Sequence, residues 1–268
     1  RRRMIMVYVY VVGVALFALP RDADRPVSIL LGHGDKAGAI ELPVHRTMLY
    51  VNGKLVRDEE GIPVPDLVAI QGAFQGVDVV VHLGAIAQGS ATWEQALTHN
   101  IIGTYNVFEA TRRAGVQRII YASSGATVGG YERDLPSAAA AAGRYTEVGT
   151  WPKLTHETPT RPNSVYACSK VWGEALARYY SDAYGMSVIC PRIGAVNRED
   201  RPSAPRQFSV WCSQRDIAQM VERCIAAPES VQCDVFYAVS DNQWSYRDLD
   251  HARAVVGYEP QDRAEDYR

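Results

Sequence analysis

The stretch GVDVVVHLGA, residues 76–85, limits what this chain can fold into more than any other. Successive side chains of a strand point to opposite faces, so the run Val79, Val80, Val81 needs apolar cover on both sides. Such strands belong to the interior of a parallel sheet. A helical pattern follows over about residues 92–114, with Leu97, Ile101, Tyr105 and Phe108 on one face and Gly115 as its stop. QRIIYASS, residues 117–124, reads as the next strand. After it comes a Gly- and Ala-rich loop running through SAAAAAGRY to HETPTRPNS, then a helix, and then the strand MSVICPRIG, residues 186–194. Strands alternating with helices build right-handed β-α-β units, so the expected class is α/β, a Rossmann-like doubly wound parallel sheet. Ligands of such sheets gather at the carboxyl ends of the strands. That places Leu83, Gly84 and Ala85, Ser123 and Ser124, and Arg192, Ile193 and Gly194 along one rim.

The segment NSVYACSK, residues 163–170, begins the last of those helices at the same rim. Asn163 or Ser164 can cap its start, Val165, Val171, Trp172, Ala175, Leu176, Tyr179 and Tyr180 form its apolar stripe, and Gly185 ends it. Tyr166 and Lys170 stand four residues apart, one turn along a single face. With 15 tyrosines in the chain, a Tyr-x-x-x-Lys spacing carries little weight alone. Its place at the rim is what makes it a candidate base and tuning cation rather than a surface pair.

A net charge of −2 gives no electrostatic reason to expect nucleic acid or an anionic membrane as partner. The five cysteines include no Cys-x-x-Cys pair, which fits a reduced, cytoplasmic setting with most thiols buried. Among the histidines, His82, His99 and His156 have no metal-ligand spacing, so no metal is expected. Arg1, Arg2 and Arg3 precede an uncharged, mostly apolar run over residues 4–19 that superficially resembles a signal peptide. The run is short for a membrane span and lacks a small-residue cleavage site, so it reads as a buried strand.

Taken together, GVDVVVHLGA, NIIGTYNVFEATRRAGVQRIIYASS, YACSK and PRIG, in this order, resemble the extended short-chain dehydrogenase/reductases, the NAD-dependent epimerase and dehydratase group. FSVWCSQRDIAQMVERCIAAP, VFYAVSDN and VGYEPQDRAED add a likeness to uronate dehydrogenases. The resemblance implies a dinucleotide-binding part over residues 1–193, atypical over 1–65, and a small substrate-binding part over 194–268 packed on the same core. It implies an oxidoreductase using NAD or NADP, NAD being preferred, on a hydroxyl or keto group of a sugar-like or other small molecule. A substrate hydroxyl can release hydride only as its proton leaves, so a base must lie within hydrogen-bond reach. By resemblance Tyr166 is that base, Lys170 tunes it and holds the cofactor ribose, and Ser124 orients the substrate oxygen, with Ser123 the second choice. Leu83, Gly84, Ala85, Asn100, Pro191 and Ile193 are further expected cofactor neighbours, and a homodimer through paired helices is implied. Two other readings stay open: a nucleotide-sugar epimerase or dehydratase with a retained cofactor, and a degenerate, non-catalytic fold.

The pattern breaks in two places. No Gly-x-x-Gly-x-x-Gly follows the first apolar run. The nearest candidate phosphate loop is LLGHGDKAGAI, with Gly32, Gly34 and Gly38, while Asp66 and Leu67 resemble the acidic-Leu pair that meets adenine. In the substrate pocket, Ala87, Ala126 and Ala195 stand where uronate dehydrogenases carry small polar groups, although Arg206 matches their carboxylate-binding arginine. Missing polar contacts would leave hydroxyls of a hexuronate unpaired, so the expectation is a different, less polar substrate.

Overall fold

The computed structural model describes residues 67–71, 74–87, 90–134, 136–147 and 153–268, together with the backbone of short strands at 4–7, 28–31, 38–41, 50–51 and 54–55. Its main sheet joins β1 (Met4–Val7), β6 (Val79–His82), β7 (Arg118–Tyr121), β9 (Ser187–Ile193) and β10 (Cys233–Ala238) in that order, all parallel. The two-residue strand β8 (Ser123–Ser124) pairs with the end of β9. β1 lies beside β6 with Met4 opposite Val79, so the first apolar run does begin with a strand of the main sheet. Between β1 and α1 (Leu67–Gln71), the described backbone forms two antiparallel pairs apart from the main sheet: β2 (Ser28–Leu31) with β3 (Gly38–Glu41), and β4 (Tyr50–Val51) with β5 (Lys54–Leu55).

Both faces of the sheet are covered, which is what the unbroken valine run requires. Val79, Val81, Ile120, Ile189 and Phe236 point to one side, against Ile217, Met220 and Val221 of α7 (Gln214–Ala226) and Ala252 and Val256 of α8 (Asp250–Val256). Val80, Ile119, Tyr121 and Val188 point to the other, against Ile70 of α1, Val107 and Phe108 of α3 (Gly103–Arg113) and Ala177 and Tyr180 of α5 (Val165–Tyr184). The alternation of neighbouring residues between two separate clusters follows from the two-residue period of a strand. Arg118, at the start of β7, is buried yet well satisfied: it donates to Ser187 Oγ and to the carbonyls of Ile225, Ala227 and Pro228 where α7 ends. No helix among the described residues is long and apolar enough to cross a membrane.

Two sequence expectations are refined. The segment expected as one helix over 92–114 starts at α2 (Trp93–Gln95), capped reciprocally by Thr92 and Gln95. It widens into a π-helical stretch, Ala96–Ile102, before α3. The alanine-rich segment expected as loop contains a short helix, α4 (Ser137–Ala141), which suits the high helix propensity of alanine. Upstream of it, a 3-10 stretch, Gly125–Arg133, clasps the approach to α5 through Gly130 N–H to Arg161 O (2.7 Å) and Arg161 N–H to Thr127 O (2.8 Å).

Helix α5 can lie this near β7 only because residue 173 is glycine. A Cβ there would stand 2.2 Å from the hydroxyl of the fully buried Tyr121. Gly173→Ala gains roughly 1 kcal/mol of helix propensity but overpacks an interior contact at a cost of about 1–3 kcal/mol. With the helix backbone and a ring as the clashing parties, the second effect dominates. The variant is therefore expected to unfold at lower denaturant concentration with an unchanged m-value; a midpoint equal to or above wild type would contradict this packing.

Candidate active site

The start of α5 is built by its own sequence. Ser164, in extended conformation, accepts a hydrogen bond from the Ala167 N–H (3.1 Å), and the helix ends at Gly185 with φ 66°. This sets Tyr166 in the first turn and Lys170 one turn on, facing the carboxyl ends of β7 and β8. The buried Lys170 ammonium donates to Ala122 O (2.7 Å) and stands 5.0 Å from the Tyr121 ring centroid and 5.8 Å from that of Tyr166. Burial pushes its pKa down to about 7, against the opposing pull of Cys190 and Glu174. Burial also raises the pKa of Tyr166, while a hydrogen bond from the Ser124 side chain works the other way. Ser124, Tyr166 and Lys170 are thus brought together.

The neighbouring His82 adds no charge. Buried beside the Lys170 ammonium, it is pushed down to about 3 and shares a 3.0 Å hydrogen bond between Nε2 and Thr104 Oγ1. The Asn100 amide is fully engaged. Its Oδ1 accepts from Ile86 N–H (2.8 Å), and its Nδ2 donates to Ile86 O (3.2 Å) and to Ser169 Oγ (2.9 Å), which in turn donates to Tyr166 O (2.7 Å). Asn100, expected among the cofactor neighbours, locks the segment after β6 to the turn carrying Tyr166. It sits in the π-helical stretch, whose wider turn is a recurrent feature of functional sites.

The two serines part company, as adjacent strand residues must. Ser123 Oγ donates to Glu174 Oε1 (2.5 Å), and Glu174 also holds Arg192 through Nε (2.9 Å) and Nη2 (2.8 Å). Against the cost of burial, the Glu174 carboxylate raises the Arg192 pKa above its ordinary value. Ser123, expected on the substrate side, is therefore turned away into an internal ion pair. Glu174 went unnoticed in the sequence, although its position one turn beyond Lys170 was the available signal.

Arg206 is likewise engaged within the chain. Its Nε and Nη2 grip Glu132 at 2.6 and 2.7 Å, and Tyr246 donates to the same carboxylate at 2.5 Å. Burial works against ionisation of Glu132, but Arg206 prevails and holds its pKa below the usual value.

At the cofactor side, Leu83, Ala85 and Pro191 are buried at the rim, Gly84 beside them, and Ile193 is half-buried where β8 meets β9. Leu67 opens α1 and packs on the core cluster containing Ile70 and Phe74. Gly38 lies in β3 opposite Leu31, in an antiparallel pair and not at a helix start, so it does not form the expected phosphate loop. Gly32, Gly34 and Asp66 lie outside the described residues. The nicotinamide-ribose end of a dinucleotide fits the residues present. Lys170 uses one N–H on Ala122, so two remain for ribose hydroxyls, at a rim lined by apolar Leu83, Ala85 and Ile193.

The model of the NAD dependent epimerase/dehydratase family matches residues 57–199. The chain is 36% identical over 207 residues to an NAD-dependent glucose-6-phosphate dehydrogenase of Haloferax volcanii, covering 76% of each chain. It is 34% identical over 203 residues to a uronate dehydrogenase of Pseudomonas putida, covering 76% of this chain and 68% of that one. Among solved structures, uronate dehydrogenase from Agrobacterium tumefaciens matches with a TM-score of 0.63 at 33% identity, over 76% of this chain and 68% of that one. A mutant of that enzyme complexed with NAD gives a TM-score of 0.62. A parallel sheet covered on both faces, a Tyr and Lys on the helix at its carboxyl rim and these matches lead to one conclusion: the chain belongs to the NAD-dependent epimerase/dehydratase family, enzymes of Rossmann-like fold that work with NAD.

Proposed function

We propose that this protein is an NAD-dependent dehydrogenase that oxidises a hydroxyl group of a small sugar-type substrate. The observation that carries the reading is the disposition of Ser124 and Lys170 about the Tyr166 phenol at the carboxyl rim. The names of its relatives, which include uronate, glucose-6-phosphate and L-arabinose dehydrogenases, supply the substrate class. In this mechanism the Ser124 hydroxyl holds the substrate oxygen in line with Tyr166, and the phenolate of Tyr166 takes the hydroxyl proton. NAD, when bound, accepts the hydride released from the same carbon. Lowering a tyrosine pKa from near 10 toward neutrality takes about 4 kcal/mol of phenolate stabilisation for three units. Burial acts against it here, so the Lys170 ammonium and the Ser124 hydroxyl have to provide it. Residues 1–193 then serve as the dinucleotide part and residues 194–268 as the substrate part, built on one core. Ile102 and Tyr105, and Tyr179 and Tyr184 of α5, leave exposed apolar surface suited to pairing two chains through these helices.

Three outcomes follow from this reading. In an assay of NADH formation with D-glucuronate, D-glucose 6-phosphate and L-arabinose, the wild type reduces NAD with at least one of them. Tyr166→Phe loses about 10²–10⁴-fold or more of that rate at unchanged circular dichroism, and full activity in the variant would sink the mechanism. Sedimentation velocity is expected to give a dimer, reduced to monomer by charged replacements at Tyr105 and Tyr179 together; a wild-type monomer would remove the pairing. The third outcome concerns Lys170, whose pKa is about 7 folded against an ordinary 10.5. Between these values the unfolded chain binds a proton that the folded chain does not, so stability rises with pH across that window. Lys170→Met removes this slope. From pH 7 toward pH 10.5 the denaturant midpoint of wild type is expected to rise relative to that of the variant; parallel pH curves for the two proteins would refute the burial of this charge.

A further inference from the structure

Among the described residues, no carboxylate pairs with Arg247. Arg247 is 2% exposed, and among the described residues its Nε has no hydrogen-bond partner and its hydrogen bonds run only through its backbone, to and from Ser245. Its guanidinium carbon stands 5.8 Å from the Tyr246 ring centroid and 6.0 Å from that of Tyr237, at the outer limit of a cation–π contact. The nearby Glu132 carboxylate feels its charge, but the oxygens of Glu132 are taken by Arg206 and Tyr246. A buried guanidinium left in this state is costly unless something outside the chain completes it.

Its position says what that would be. A Cβ on Gly125 would fall 2.2 Å from Arg247 Cζ, 2.2 Å from Nη1 and 2.3 Å from Nη2. The fork therefore occupies the space into which a side chain at residue 125 would project, and residue 125 directly follows Ser124. The charges around it are arranged in pairs. Glu174 is matched with Arg192, and Glu132 with Arg206, so among the described residues Arg247 remains an unmatched positive group, next to the residue that follows Ser124.

We infer that Arg247 is a substrate-binding residue whose guanidinium receives the anionic group, carboxylate or phosphate, of a sugar-type substrate, in place of Arg206, which Glu132 already occupies. The inference rests on the dehydrogenase reading for the kind of ligand and goes beyond it in assigning the ligand's charge and the residue that reads it. A planar fork with two N–H-bearing terminal nitrogens suits either oxyanion. Glycine at 125 is what leaves room for it.

The test is calorimetric titration of the full-length protein, saturated with NADH, with D-glucuronate, D-glucose 6-phosphate and neutral D-glucose, run beside the NADH-formation assay. One of the two anions is expected to bind wild type at least about 30-fold more tightly than D-glucose, and which one binds identifies the oxyanion. Arg247→Gln is expected to lose about 30- to 100-fold of that affinity, as for a charge-assisted bidentate contact, with NADH binding retained. Arg247→Lys, which keeps the charge and the long buried stem, should recover part of the loss and covers the case in which the Gln variant does not fold. The inference is overturned if both variants bind the anion as wild type does, if D-glucose binds as tightly as the anions, or if neither anion binds wild type. Binding of an anion without NAD reduction would instead defeat the dehydrogenase reading and leave the anion seat standing. Reduction of NAD by L-arabinose at a rate that Arg247→Gln does not alter would keep the dehydrogenase and remove the seat.

Discussion

The bond from Lys170 Nζ to Ala122 O ties the helix that carries Tyr166 to the strand end that carries Ser124. Everything at the rim is measured from that tether. It spans the gap between α5 and the β7–β8 junction, with Gly173 one turn further on permitting the approach and the Tyr121 ring forming the floor. The lysine can make this bond only by giving up water, which is why its pKa falls toward 7. Structure and chemistry therefore draw on the same burial: the desolvation that fixes Tyr166 in place also makes the charge of Lys170 responsive to whatever binds next to it. Cys190 and Glu174 pull the other way, against that burial.

A second layer makes the arrangement stiff. Asn100 joins the backbone after β6 to Ser169, and Ser169 joins Tyr166 O, so three rim segments share one chain of hydrogen bonds. Deleting any of these amide contacts would strand a buried polar group, which is costlier than the bond itself. The π-helical turn around Asn100 is the local distortion that points the amide at its three partners. The regular parts of the fold thus support a small set of polar groups whose geometry they leave no room to vary.

Much of this was legible in the chain. Val79 to Val81 announced a strand covered on both faces, and the order of strand, serines, tyrosine helix and PRIG strand gave the rim. The resemblance favoured Ser124 over Ser123, but that Ser123 turns to Glu174 could not be read, since the alternation depends on register with Arg192 and Ile193, supplied by β9 from far along the chain. Asn100 was recognised but given a different partner, because an amide fits a cofactor and a backbone equally well. The alanine run was mistaken for loop through the weight given to its flanking glycine. Gly38 suited a phosphate loop by composition, yet a glycine count carries no information about whether a helix follows. Arg247 had no signal at all: its meaning comes from contact with Gly125, across more than a hundred residues of chain.

The substrate end turns on how charges are matched and not on how many polar groups are present. Reading Ala87, Ala126 and Ala195 as lost contacts led to the expectation of a less polar ligand, because the hydroxyls of a hexuronate would be left unpaired. Arg206, however, has its bidentate partner in Glu132, and a second carboxylate would have to displace that internal one at the expense of leaving Glu132 desolvated beside Tyr246. Such an exchange gains little, whereas an anion arriving at Arg247 would satisfy a group that has no partner to lose among the described residues. On the proposed reading, Ala87, Ala126 and Ala195 and the guanidinium of Arg247 point the same way once both are counted: fewer contacts to the sugar ring, and more of the recognition vested in one charged substituent.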